Sequence, residues 1–177
     1  MEKRTTVNSD EEDFKRFVTQ YYPQLCAFAT QYTDSLEVSE DIVQDVFLRF
    51  WENKKYLSVK SYLKSYIFSS VRNASIDYIR KNNVHTFTEL EEASYLKEEE
   101  VNEDNLLAQH EHLHELLKQL PTQEYEVLMA IVVHNKKYKE VGEEMNISVN
   151  TVKTHLSRAL KFLRAHNINL RLLFLFY

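Results

Sequence analysis

One glycine, two prolines, one cysteine and one tryptophan are all that 177 residues contain of these types. Strands joined by hairpins draw on glycine and proline at their turns, so this scarcity argues against a sheet and for a chain that is nearly all helix. A lone cysteine, Cys26, closes no internal disulfide, which suits a reducing cytoplasm. The opening residues MEKRTTVNSDEEDF hold no apolar run, so no secretory signal is expected. The last residues, LRLLFLFY, are apolar but far shorter than the ~20 residues of a membrane span, and no stable membrane insertion is expected. No internal repeat or low-complexity tract appears.

What is present is enough apolar surface for packed cores, at 44% hydrophobic and 12% aromatic residues. The length fits one ordinary domain or two small ones. Charge divides the chain. The net value of −5 hides residues 1–48, with four basic side chains against ten acids, and residues 49–81, with eight basic against two. Residues 82–117 carry ten acids and only Lys97, whereas 118–177 return to nine basic side chains against five acids. With a Debye length of about 8 Å, acids far from a basic surface barely weaken it, so two basic patches are expected to act undisturbed. The stretch TELEEASYLKEEEVNEDN has no clean helical period and is expected to be a mobile acidic linker.

Four helices are expected before that linker. Ser9 and Glu12 have capping-box spacing ahead of Phe14, Phe17, Val18 and Tyr21. Pro23 is suited to starting a second helix with Leu25, Phe28, Ala29 and Tyr32 inward. Ser39 is the expected cap of a third, in which Ile42, Val46 and Phe50 recur every four residues beside Val43, Phe47 and Trp51. That apolar face is wider than one small core requires. The fourth runs from about Ser61 to Arg80, its stripe Leu63, Ile67, Val71, Ala74 and Tyr78. Basic side chains interleave there with Tyr62, Tyr66 and Tyr78. Such a helix suits single-stranded nucleic acid, where bases stack on rings at ~1–3 kcal/mol each, yet the tyrosines serve equally well as core.

The strongest motif follows the linker: YKEVGEEMNISVNTVKTHLSRALKFLR reads as two helices joined by a tight turn. Tyr138, Val141 and Met145 form the inner face of the first, and Gly142 permits the second to come close. Asn146 tolerates the left-handed turn position, and Ser148 caps the second helix. Val152, Leu156, Ala159, Leu160 and Leu163 hold that helix down. Its outer face, Asn150, Thr151, Lys153, Thr154, Ser157, Arg158 and Lys161, offers donors to phosphates and base edges of a major groove. The helix N-terminus adds free N–H groups for a phosphate. LPTQEYEVLMAIVVHN supplies another amphipathic helix to complete this small domain.

LPTQEYEVL with YKEVGEEMNISVNTVKTHLSRALKFLR resembles the fourth region of bacterial extracytoplasmic-function sigma factors of the sigma-70 family. SEDIVQDVFLRFWEN with SYIFSSVRNASIDYIRK resembles their second region. The two occur in the family's order, across a linker of fitting length. The resemblance implies an all-α fold of two small helical domains: region 2 over 9–82, an acidic linker over 83–105, region 4 over 106–166 and an apolar tail over 167–177. It implies core RNA polymerase as partner, through the clamp of the largest subunit and the flap, with Asp41, Gln44, Asp45, Phe47 and Trp51 at the clamp. Lys60, Ser61, Tyr62, Ser69, Arg72 and Asn73 match the positions that capture a flipped base of the melted −10 element, a step costing a few kcal/mol. Lys153, Thr154, Ser157 and Arg158 match those that read the −35 duplex. The linker would lie in the polymerase's active-site and RNA-exit path, its acid standing in for RNA. Promoter DNA and an anti-sigma factor are further expected partners. No cofactor, metal or catalytic residue is implied. Ser69 and Ser70 stand where many members carry a larger or basic residue.

Two rival readings remain. HEHLH, His110 to His114, matches the H-E-x-x-H pattern of zinc hydrolases, with His134 or Glu140 as third ligand. A helix-turn-helix regulator without a polymerase role is nearer, although no sensor domain or dimer interface is evident. The tail NINLRLLFLFY either folds back on its domain or docks a partner.

Overall fold

A computed structural model describes residues 2–53, 63–82, 103–166 and 168, apart from the side chains of 2–10 and 103–108. Three helices form the first group: α1 (Glu2–Thr33), α2 (Leu36–Glu52) and α3 (Leu63–Asn82). The second group is α4 (Glu103–Gln119), α5 (Thr122–Leu128) running into a π-helical turn (Met129–Val133), α6 (Tyr138–Met145) and α7 (Val149–Ala165). Every described element is helical. Residues 83–102 of the expected linker lie outside the described residues, and the rest of it opens α4.

The first two expected helices are one. α1 runs through Pro23 without interruption, and Ser9 lies inside it instead of capping it. Proline in a helix interior removes a hydrogen bond and crowds the preceding turn, at about 3 kcal/mol. Burial outweighs this, because every residue from Pro23 to Thr33 is buried. Leu25, Phe28, Ala29 and Tyr32 are buried as expected, and so are Gln24, Cys26, Ala27, Thr30, Gln31 and Thr33 on the remaining sides. A helix buried all round needs neighbours on both flanks. α2 and α3 supply one flank, and α7 with the π-helical turn supplies the other.

α2 starts one turn earlier than expected. Ser35 is its cap, in extended conformation and accepting from the Val38 N–H at 3.3 Å. Asp34 sits before it at φ 59°, closing α1 with a bond from its N–H to the Thr30 carbonyl. Ser39 is instead fully buried, donating to the Ser35 carbonyl at 2.8 Å and hydrogen-bonded to Thr33 and Thr30. The wide apolar face of α2 is used within the chain: Ile42, Val43, Val46, Phe47 and Phe50 are all buried. Phe14 of α1 meets Phe47 edge-on at 6.0 Å and stacks with Phe50 at 5.4 Å and Trp51 at 5.7 Å. Such pairs add about 0.5–1.5 kcal/mol each beyond the area they bury. On α3, Tyr66 lies 5.4 Å from Phe50, and both Tyr66 and Tyr78 pack, half-buried, against this core.

In the second group the turn between α6 and α7 forms as the sequence predicts. Asn146 is left-handed at φ 54°, ψ 45°. Its N–H reaches the Glu143 carbonyl, and the Ile147 N–H donates to the Gly142 carbonyl at 2.9 Å, which together make a Schellman closure. Glu140 reaches back to accept from the Lys137 N–H at 2.8 Å. Ser148 caps α7, accepting from the Thr151 N–H at 3.1 Å. Ser148→Ala removes that acceptor and is expected to lower stability by about 1 kcal/mol, measurable as a shift in the chemical denaturation midpoint. All five expected inner residues of α7 are buried. Ile168, just past α7, is buried too, its N–H bonded to the Leu163 carbonyl, while the rest of the tail lies outside the described residues.

Candidate nucleic-acid interface

α7 presents three sides. The apolar side faces its own domain. Asn150, Thr154, Arg158 and Lys161 recur at helical spacing on the outer side, and all four are exposed. Thr154 donates its hydroxyl proton to the Asn150 carbonyl at 2.9 Å, leaving its oxygen as an acceptor. Thr151 is tied to the cap, 2.8 Å from the Ser148 hydroxyl, and Ser157 is half-buried beside the outer face. Cations, an amide and hydroxyls on one convex helix face can meet base edges and phosphates together.

Lys153 belongs to neither side. Its ammonium lies 2.7 Å from Glu40 Oε1 and 2.8 Å from Oε2 on α2, and 5.5 Å from the ring centre of Tyr138. Arg164 is eleven residues further, three helical turns, and so on the same edge of α7. It pairs at 3.3 Å with Asp34 in the α1–α2 turn. This lateral edge of α7 therefore docks on the first helical group. The expectation that acidic residues sit too far away to disturb the basic helix fails at this edge. Two of them are in direct contact with it, because chain folding brings residues 34–40 against residues 153–164.

Behind the Lys153–Glu40 pair lies a closed cluster. Gln24 Nε2 donates to the Val132 carbonyl of the π-helical turn at 2.7 Å. The Cys26 thiol is fully buried between the two groups, next to Tyr22 and Tyr138. Burial above all, then the nearby Glu40 carboxylate, pushes this thiol far up and keeps it protonated. Burial does the same to the phenols of Tyr22 and Tyr138. Neutral groups fill the seam, and the ion pairs lie at its rim.

On α3, Ser69 and Asn73 are exposed and Arg72 is half-buried, three positions that share one helical face. Lys64 on the same helix lies over the rings of Tyr21 at 5.2 Å and Phe68 at 5.9 Å. Lys60, Ser61 and Tyr62 lie outside the described residues. On α2, Asp41, Gln44 and Asp45 are exposed on one face, with Gln44 bonded to the Tyr22 hydroxyl at 2.9 Å. Phe47 is buried and Trp51 half-buried, its ring under the Lys15 ammonium at 5.8 Å. The apolar side chain beside those three polar residues is Leu48, 55% exposed and absent from the residues the sequence resemblance assigns to the clamp. Its signal was the spacing 41, 44, 45, 48, one helical face with a single leucine at its end.

His110 and His114 stack with ring centres 6.4 Å apart. Among the described residues, no three His, Cys, Asp or Glu side chains cluster so as to hold a metal ion, so neither His134 nor Glu140 completes the H-E-x-x-H pattern. Among the described residues, too, no helix is long and apolar enough to cross a membrane.

Comparison with known proteins matches residues 17–84 to the family model for sigma-70 region 2 and residues 110–163 to that for sigma-70, region 4. The chain is 25% identical over 165 residues to the ECF RNA polymerase sigma factor SigX of Bacillus subtilis, covering 88% of this chain and 84% of that protein. It is 28% identical over 150 residues to SigM of the same organism, covering 82% and 89%. A solved complex of the sigma factor RpoE with the anti-sigma factor NepR from Bartonella quintana is similar at 20% identity, over 92% of this chain and 97% of that one, with a TM-score of 0.38.

Proposed function

Because this chain belongs to the sigma-70 family, in its extracytoplasmic-function group, we propose that it binds core RNA polymerase through α2 and directs it to promoters read by α7. The observation that carries this reading is the coexistence, on one chain and in the family's order, of two polar surfaces: Asp41, Gln44, Asp45 and Leu48 on α2, and Asn150, Thr154, Arg158 and Lys161 on α7. The first is an acidic, partly apolar patch that fits a basic protein surface; the second fits a DNA groove. Ser69, Arg72 and Asn73 on α3, with Lys60, Ser61 and Tyr62 before it, serve the melted −10 strand. The chain supplies no catalytic residue. It works in the cytoplasm, places the polymerase's own chemistry at a start site, and is held in check by an anti-sigma factor.

Run-off transcription with purified core polymerase tests the reading. Added chain should yield discrete transcripts from genomic fragments, and promiscuous or absent initiation with no binding to core would overturn it. Arg158→Ala should weaken binding of the holoenzyme to the −35 element by about 1–3 kcal/mol if it contacts a base edge. An unchanged preference among −35 variants removes Arg158 from the reading face. A helix-turn-helix regulator without a polymerase role is the second reading, favoured if the chain alone grips duplex DNA and ignores core.

A further inference from the structure

Val149, at the first position of α7, is 38% exposed, one of three large apolar side chains left outside among the described residues. Folding does not ask for a valine there. The first helical position favours proline or an acidic residue, and β-branched side chains lower helix propensity. Ile147, just before the cap, is half-buried against the core, whereas Val149 is not part of it. The first turn of α7 also carries no acidic residue, although a carboxylate there would stabilise the helix end. An uncharged helix end tipped with methyl groups is poorly suited to water and compatible with DNA. In a helix-turn-helix the N-terminal residues of the second helix reach base edges in the major groove. Helical side chains lean toward the N-terminus, so Val149 projects past the helix end, next to exposed Asn150. The major groove offers such a side chain one apolar feature, the C5 methyl group of thymine.

We propose that Val149 is a specificity-determining residue for the −35 element, packing its methyl groups against the C5 methyl of a thymine in the sequence that α7 reads. The proposal rests on the reading of α7 as the promoter-reading helix. It adds one apolar, base-specific contact to a face that otherwise reads through hydrogen bonds and charge. Cytosine lacks that methyl group and purines present polar atoms to the groove, so the contact favours thymine at one position.

The test uses holoenzyme assembled with wild type or Val149→Ala, on a promoter duplex whose −35 element has been mapped by run-off transcription. Each thymine of that element, on either strand, is replaced in turn by deoxyuridine. The replacement deletes the C5 methyl group and leaves the hydrogen-bonding edge intact. Affinity is read by fluorescence anisotropy. One replacement should weaken wild-type binding about fourfold, the worth of one buried methyl group. The same replacement should leave Val149→Ala binding unchanged. Val149→Ala should itself bind the unmodified duplex more weakly, with a melting temperature equal to or above wild type, because alanine is the better helix former. If no deoxyuridine matters, or if every effect persists in Val149→Ala, the assignment falls. A chain that yields no promoter, or a holoenzyme indifferent to every −35 base change, sinks the initiation reading itself. Sensitivity to −35 base changes without coupling at Val149 sinks only the thymine contact.

Discussion

Asp45→Arg should abolish co-elution of the chain with core RNA polymerase. Asp45 is well exposed and only loosely paired, 4.0 Å from Arg49, so the native carboxylate is available to a partner. Its neighbours on that face are Asp41, Gln44 and Leu48, so the patch is acidic with one aliphatic side chain at its end. Reversing the central charge replaces attraction by repulsion at a desolvated contact, an effect of several kcal/mol, or on the order of a hundredfold or more in affinity. Folding should be indifferent to it, since exposed substitutions away from caps and cores usually change stability by within about 0.5 kcal/mol. Circular dichroism melts of the variant should therefore match wild type while size-exclusion with core does not. Retention of full core binding would remove α2 as the polymerase surface. Leu48→Ala is a companion on the same face, expected to weaken core binding more modestly and leave folding unchanged.

Gly142→Val is expected to unfold or misorient the helix pair. A Cβ at Gly142 would lie 2.9 Å from the Ile147 carbonyl oxygen, and that oxygen is main chain in the Schellman turn, so no side chain can swing away. Valine adds two methyl groups beyond that, near Val149 N and Val152 Cγ2, each 3.8 Å from the built Cβ. Forcing extra atoms into such a site costs about 1–3 kcal/mol, and the expected loss is at the upper end. In a domain this small that is a fall in melting temperature of about 4–8 °C for each kcal/mol. Gly142→Ala separates the two terms: alanine gains up to about 1 kcal/mol of helix propensity yet meets the same carbonyl. The clash should win, leaving alanine less destabilising than valine but still below wild type. An alanine variant more stable than wild type would mean that the turn yields without cost. Either substitution shifts the angle between α6 and α7, so −35 binding should fall beyond what stability alone accounts for.

The local chemistry of the helix pair was legible because each part is decided within a few residues. Asn146 in the left-handed region, Ser148 capping and the 3.6-residue period of Val152, Leu156, Ala159, Leu160 and Leu163 need no distant partner. Ser39 is not the cap its sequence suggests, because a serine before an apolar run looks alike at Ser35 and Ser39. Only the buried hydroxyl network with Thr30 and Thr33 distinguishes them. Pro23 departs from expectation for a related reason: local propensity breaks the helix there, and burial on every side restores it.

By itself the sequence determined an all-helical chain, its two groups of helices, the helix-turn-helix and the family to which these belong. Composition, capping and periodicity act over short range, and two motifs in order leave little choice of family. Tertiary structure alone decided which face of each amphipathic helix stays free. The broad apolar face of α2 turned inward to Phe14 and left Leu48 outside, a choice set by which neighbouring helix could fill the space. It alone also decided that Lys153 meets Glu40, 113 residues away. Charge counted along a chain carries no record of which acids fold back onto which bases.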